Sequence, residues 1–344
     1  MEALWCISGI SIGIRYGFDR SEKYGVMLMR TMVIGGAGFI GSHLCDALLA
    51  NGHKVVCIDD FSLGTKENIG HLSENEKFIL YEADAADKVE LKWIFEKTKP
   101  EAVYHLAANS DIQASAADPD IEYRNTYTTT YNVLYCMREY GVKSLFFAST
   151  SAVYGDKRDI LLDENTPDLT PISYYGAAKL GSEALISAFS YMDDMRCLIF
   201  RFPNVIGPRL THGVIFDLIR KLQKDGTQLE ILGDGRQTKP YIYVDDLIGA
   251  IVRFMPMNDE KTASVLLYNL GVEGETSVTR IADILCEEMG LSDVQFHYTG
   301  GEGGWKGDVP RFKYCLNKIH NAGWKAEHTS DEAVRRTVKE VLKP

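Results

Sequence analysis

The chain has 344 residues, with 37 lysines and arginines against 48 aspartates and glutamates (formal net charge −11) and 45% hydrophobic residues. This is enough apolar material for one large α/β core with a smaller companion, and it excludes a peptide-sized or disordered chain. The acidic balance, without a long Lys/Arg run, argues against a nucleic-acid partner, although a few backbone N–H groups in a cleft can still hold a small anion.

Residues 1–30 stand apart as an N-terminal extension. The run ALWCISGISIGI is largely apolar, but Glu2 precedes it and Arg15 and Arg20 follow, the reverse of a secretory leader. Met27 and Met29 lie just before the first strand, so the working protein is expected to begin at Met29, with 1–28 as an appendage. No later stretch reaches the roughly 18 apolar residues of a membrane span, and no membrane partner is expected. Cys6, Cys45, Cys57, Cys136, Cys197, Cys286 and Cys315 are scattered, odd in number and mostly within apolar runs. They read as reduced core residues of a cytoplasmic protein, and no histidine or cysteine cluster suggests a metal.

The first strand is TMVIG at 31–35, after which Phe39, Ile40, Leu44, Ala47 and Leu48 recur at helical spacing. Strands follow at 54–59, 78–81, 102–107, 145–150 and 197–202, with helices near 87–98, 125–140 and 174–191. Apolar strands alternating with helices indicate an α/β fold with a parallel sheet covered on both faces. After Asn204 the rhythm changes. An amphipathic helix at 213–226 leads to the short strand LEILG and the turn GDGRQTKPYIY. A helix at 244–255 carries Asp245 and Asp246 in its first turn, Thr276 and Ser277 cap another, and 330–341 closes the chain.

Gly35, Gly38 and Gly41 have GxxGxxG spacing between the first strand and helix. The first permits a tight turn, the second lets a pyrophosphate approach backbone N–H groups, and the third lets helix and strand pack closely. Asp59 ends the next strand, where a carboxylate accepts hydrogen bonds from an adenosine ribose and repels a 2′-phosphate, so NAD is expected over NADP. Asp84 is expected near adenine. Ala107, in the small-residue run HLAAN, suits close passage of a cofactor, while His105 is expected to be structural.

Tyr175 and Lys179 are four residues apart and share a helix face. A positive charge near a phenol favours the phenolate, so Tyr175 is expected as a proton acceptor with Lys179 as the group that acidifies it and holds the nicotinamide ribose. Thr150 leaves the sheet at the same edge as the glycine turn and can hydrogen-bond the reacting oxygen. Ser149 and Ser151 are alternates.

The motifs GGAGFIGSHL at 35–44, DDFSLG at 59–64, HLAAN at 105–109, STSAVYG at 149–155, YGAAK at 175–179, RFPNVIGPR at 201–209 and GDGRQTKPYIYVDD at 233–246 follow one order over roughly 31–310. The chain thereby resembles the extended short-chain dehydrogenase/reductase family, more narrowly its sugar-nucleotide epimerases and dehydratases. The resemblance implies a Rossmann-like NAD-binding domain at 31–205, with 237–270 returning to it. It also implies a smaller mixed α/β domain at 206–236 and 271–344 that binds a nucleoside-diphosphate sugar, and a homodimer through a helix pair. The family's catalytic positions fall on Thr150, Tyr175 and Lys179. Its cofactor positions fall on Gly35, Gly38, Phe39, Ile40, Gly41, Asp59, Asp84, Ala107, Asn125, Tyr175 and Lys179, and Asn204 matches an asparagine near the sugar diphosphate.

Similar dehydratases carry an Asp-Glu pair after the catalytic threonine, where this chain has Ser151 and Ala152, and similar decarboxylases carry a glutamate at Ala152. Epimerisation at C4 of a UDP-glucose/UDP-galactose type sugar needs neither acid and is the favoured reaction. Dehydration and UDP-glucuronate decarboxylation stay as alternatives, and a catalytically silent NAD-binding regulator as a further one. Relatives often have arginine where Lys239 stands, aspartate at Pro240 and arginine near Lys306. Lysine lacks arginine's bidentate fork. The substrate set is therefore expected from Thr150, Asn204, Arg209, Arg236, Lys239 and Asp308. If the working protein begins at Met29, the intact mass of the protein from its native host will lack residues 1–28; a mass that includes Glu2 contradicts this.

Overall fold

The computed structural model describes residues 28–109, 112–255, 264–301 and 307–343. The proposed start at Met29 concerns residues that lie almost wholly outside this set, as does Lys306.

Seven strands form one parallel sheet: β1 (Arg30–Ile34), β2 (Lys54–Asp59), β3 (Phe78–Glu82), β4 (Ala102–His105), β5 (Ser144–Thr150), β6 (Arg196–Phe202) and β7 (Val265–Asn269). Their order is β7-β6-β5-β4-β1-β2-β3. Every neighbouring pair is parallel, with Ile34 opposite Ile58 and His105, and Thr150 opposite Phe202. The strand order reverses between β1 and β4, so the loops leaving those two strands part and open a crevice at the carboxyl edge.

Successive side chains in a strand point to opposite faces, and the apolar runs serve both. Val33, Val55, Cys57, Tyr104, Phe146 and Leu198 join one core with Leu44 and Leu48 of α1 (Phe39–Ala50). Met32, Ile34, Val56, Val103, Leu145 and Phe147 join the other. That second core takes in Leu91 and Phe95 of α2 (Lys88–Thr98), Val133 and Met137 of α3 (Thr129–Tyr140) and Ile186 of α4 (Tyr174–Asp193). The sheet is thus Rossmann-like and covered on both faces, as its sequence pattern indicates.

The remaining elements include α5 (Val214–Lys224), α6 (Val244–Phe254), α7 (Val278–Met289), α8 (Ser330–Val341) and short strands at Asn204–Ile206, Gln228–Ile231 and Tyr241–Tyr243. Their buried faces, including Leu218, Leu222, Leu247, Ile281, Leu285 and Val334, are continuous with the α1 core. Helix caps follow the sequence closely. Ser277 accepts from the Arg280 N–H, and Thr329 and Glu332 form a reciprocal capping box at α8. Among the described residues no helix is long and apolar enough to cross a membrane.

Leu247 is fully buried where α6 meets α1. Leu247→Ala should destabilise the protein by about 2–5 kcal/mol in urea unfolding; an unchanged midpoint would show that this face is not part of the shared core.

Candidate active site

The glycine turn is shaped by contact between backbones. A Cβ on Gly41 would lie 2.0 Å from the Gly35 carbonyl oxygen, so α1 can abut the turn only with glycine there. Gly38 is the N-cap of α1 and makes no side-chain cap bond, which leaves the first-turn N–H groups, including those of Phe39 and Ile40, open to an anion. Ala107, at the end of β4, touches the other side of this turn; its N atom would be 2.7 Å from a Cβ on Gly35.

Asp59 is buried and pins the loop from both sides. One carboxylate oxygen accepts from the Ala37 N–H at 2.8 Å and the other from the Phe61 N–H at 2.9 Å. Burial pushes the Asp59 carboxyl up, while these two bonds pull the other way. Asp84 accepts from the Ala86 N–H at 2.8 Å and pairs with Arg124. These groups suit NAD. No side chain caps the helix end that would face a pyrophosphate, and the carboxylate at the ribose position would repel a 2′-phosphate.

Asn125 lies in an irregular stretch of helix. A π-helical turn spans Tyr123–Thr128, one residue wider than an α-turn, and shifts which side chain faces inward. Asn125 accepts from Arg124 at 3.0 Å, whereas Thr126 is fully buried and donates to Glu122 at 2.7 Å. Thr126 and Glu122 lie outside the recognisable motifs, so the sequence alone did not single them out.

Thr150, Tyr175 and Lys179 come together. Thr150 ends β5, and its hydroxyl accepts from the Ala152 N–H at 3.2 Å, capping the turn Ser151–Tyr154. Ser173 caps α4 by accepting from the Gly176 N–H at 3.1 Å. A Cβ on Gly176 would stand 2.6 Å from the Ala152 carbonyl oxygen, so this glycine lets the first turn of α4 close onto the turn after Thr150. Tyr175 is thereby brought within hydrogen-bond reach of Thr150. Burial pushes the Tyr175 phenol well up, the Glu122 charge adds to this, and the Thr150 bond opposes it.

Lys179 is almost completely buried and donates to the Ala148 carbonyl at 2.7 Å. Its Nζ lies 4.7 Å from the Phe147 ring centre and 5.9 Å from that of Tyr175. Burial lowers Lys179 to about 8, with Glu122 and Glu183 acting in the opposite direction. Lys179 is near the phenol, and in the protein alone burial dominates the Tyr175 phenol.

Glu183 lies one turn beyond Lys179. Arg201 donates to it twice, at 3.0 and 2.6 Å, and Ser149 donates to it as well. Arg201 also stacks over Tyr154 at 4.8 Å, and the Tyr154 hydroxyl donates to Asn269 at 2.7 Å. This buried network joins β5, β6, β7 and α4 behind the site, and it commits Ser149 to a structural bond. His105 is also structural, with its Nε2 3.0 Å from the Thr130 hydroxyl; burial and Lys179 lower it to about 3, which keeps it neutral.

Of the expected substrate residues, Asn204 and Lys239 belong to one group. Burial pushes the Tyr241 phenol up; Asn204 bonds it, and the charge of Asp308 acts on it. Lys239 pairs with Asp308 at 2.5 Å. Arg236 is exposed on the preceding turn. Arg209 instead pairs with Asp46 of α1 at 2.8 Å, in a left-handed backbone conformation, and these contacts give its expected diphosphate role no support.

A family model described as "NAD dependent epimerase/dehydratase family" matches residues 31–271. The UDP-glucose 4-epimerase of Mycolicibacterium smegmatis is 31% identical over 90% of this chain and 98% of its own length. A crystal structure of a UDP-galactose 4-epimerase is 36% identical with a TM-score of 0.80, covering 91% of this chain and 98% of that one. The structure of the Thermotoga maritima UDP-glucose 4-epimerase with UDP-glucose is 30% identical with a TM-score of 0.80, covering 92% and 100%.

Removing one member of a buried ion pair strands the other charge. Glu183→Gln should therefore destabilise the protein by about 3–5 kcal/mol in denaturant unfolding, and an unchanged stability would contradict the reading of this network.

Proposed function

Because the chain belongs to the NAD-dependent epimerase/dehydratase family, we propose that it interconverts the C4 epimers of a UDP-hexose through a transient 4-keto sugar, with Tyr175 as the base. The observation that carries this reading is the convergence of Thr150, Tyr175 and Lys179 beside the glycine turn, with Ser151 and Ala152 in the turn after Thr150. Tyr175 takes the proton of the sugar 4-OH and later returns it. Thr150 holds the reacting oxygen through its hydroxyl, and Lys179 supplies positive charge behind the phenol. Gly35, Gly38, Gly41, Phe39, Ile40, Asp59 and Ala107 would hold NAD, which would supply the hydride acceptor and then the donor. Elimination of water across C5 and C6 needs an added acid and base, which Ser151 and Ala152 do not provide.

Asn204, Lys239 and Asp308 are read as the diphosphate and nucleoside side of the sugar site. Asp84 is read as an adenine contact, whereas its pairing with Arg124 requires that Arg124 turn aside or share the carboxylate. The protein is read as a cytoplasmic homodimer. The described cysteines are all free, which suits a reducing compartment. Tyr131 of α3 and Tyr174, Tyr191 and Met192 of α4 are exposed aromatic and apolar side chains of the kind that a helix-pair interface covers.

Incubation with UDP-glucose, UDP-GlcNAc and UDP-glucuronate should yield the C4 epimer of at least one. Accumulation of a 4-keto-6-deoxy or decarboxylated product with no epimer contradicts the proposal. Tyr175→Phe should lose at least about 10²-fold in turnover while still binding NAD, and undiminished turnover excludes Tyr175 as the base.

A further inference from the structure

Lys179 poses an electrostatic problem that its nearest contacts do not solve. Its ammonium is buried, yet its hydrogen-bond acceptor is the neutral Ala148 carbonyl and its closest ring is Phe147. A buried cation without an anion loses its proton or destabilises the fold. Glu183 is close on the same helix, but Arg201 holds both of its oxygens and offsets its charge. His105, facing from β4, is neutral. Tyr175 is uncharged until it acts as a base.

Glu122 is the other carboxylate that favours the charged lysine, and the stronger of the two. It ends the short helical turn Asp120–Glu122, which packs on α4, and it is 2% exposed. Its two oxygens accept from neutral donors, the Asn109 side-chain amide at 2.8 Å and the Thr126 hydroxyl at 2.7 Å. Thr126 is in turn fixed by the Asn109 backbone N–H at 3.3 Å. Thr126 lies four residues after Glu122, so its hydroxyl reaches the carboxylate along the helical path. Two hydrogen bonds satisfy the carboxylate without cancelling its charge, and the turn that carries it packs on α4, the helix that bears Tyr175 and Lys179; a negative charge there favours the charged lysine and disfavours the phenolate.

We propose that Glu122 is a positioning residue of the active site, a fixed buried counter-charge that keeps Lys179 protonated and restrains Tyr175 from ionising until further positive charge is present. The role assigned to Lys179 and Tyr175 rests on the proposed function above. The carboxylate favours the charged lysine and disfavours the phenolate, so phenolate formation is tied to the positive charge of an oxidised nicotinamide ring. Removing the negative charge should therefore make both Tyr175 and Lys179 give up their protons at lower pH.

The test compares wild type, Glu122→Gln and Glu122→Asp as NAD-bound proteins. The ionisation of Tyr175 is read as the ultraviolet phenolate difference against Tyr175→Phe, and kcat/KM is followed against pH. Glu122→Gln should move the phenolate titration, and both limbs of the rate profile, toward acid by about one pH unit. Glu122→Asp, which keeps the charge, should leave them in place even if turnover falls. A Glu122→Gln titration that coincides with wild type overturns the proposal, as does an equal shift in Glu122→Asp. If Glu122→Gln does not fold, Thr126→Val loosens the hold on the carboxylate and should move the titration in the same direction; no movement overturns the proposal. The phenolate titration needs no sugar turnover, so a wrong substrate assignment leaves this test intact.

Discussion

The site depends on the burial of one ammonium group. Lys179 has so little access to water that its charge must be sustained by groups the fold supplies. The Ala148 carbonyl comes from the strand that ends at Thr150, Glu183 from the next turn of the same helix, and Glu122 from the short turn that packs on that helix. The ionic demand of a single side chain thus ties α4 to β5 and, through Arg201, to β6. Loss of any member exposes the next to an unpaired charge in a low-dielectric interior.

The parallel sheet explains why these residues meet. Strands that all run the same way deliver their carboxyl ends to one edge, so the Gly35 turn after β1, Ala107 after β4 and Thr150 at the end of β5 share it. Helix α4 is then drawn onto that edge at its first turn, where Gly176 removes the side chain that would hold it off the Ala152 backbone. The distance between base and hydroxyl is therefore set by backbone contact, and it does not depend on a mobile loop. Preorganisation of this kind lowers the reorganisation needed when charge develops.

Much of this was legible in the chain itself. Continuous apolar strands alternating with runs of helical period were enough for the sheet and its helical cover, and Ser277 announced its helix through capping chemistry. Gly41 and Tyr175 with Lys179 were legible because close approach and a shared helix face impose fixed spacing. The buried network was not. Glu183, Arg201 and Tyr154 are distant in sequence, and nothing in their local pattern distinguishes a buried ion pair from solvated charges. Thr126 was hidden for a different reason. Its hydroxyl meets Glu122 four residues back, and neither residue lies in any of the motifs that stand out in the sequence. Arg209 followed the family pattern in sequence, but Asp46 is the partner its side chain meets.

The central claim is that one buried site removes hydrogen from C4 and returns the same hydrogen to the opposite face. UDP-glucose carrying deuterium at C4 tests it directly, with the epimeric product analysed by mass spectrometry and NMR after turnover in ordinary water. Full retention of deuterium at C4 of the inverted sugar is the predicted result. Exchange of that deuterium for solvent hydrogen, or inversion at another carbon, would contradict it.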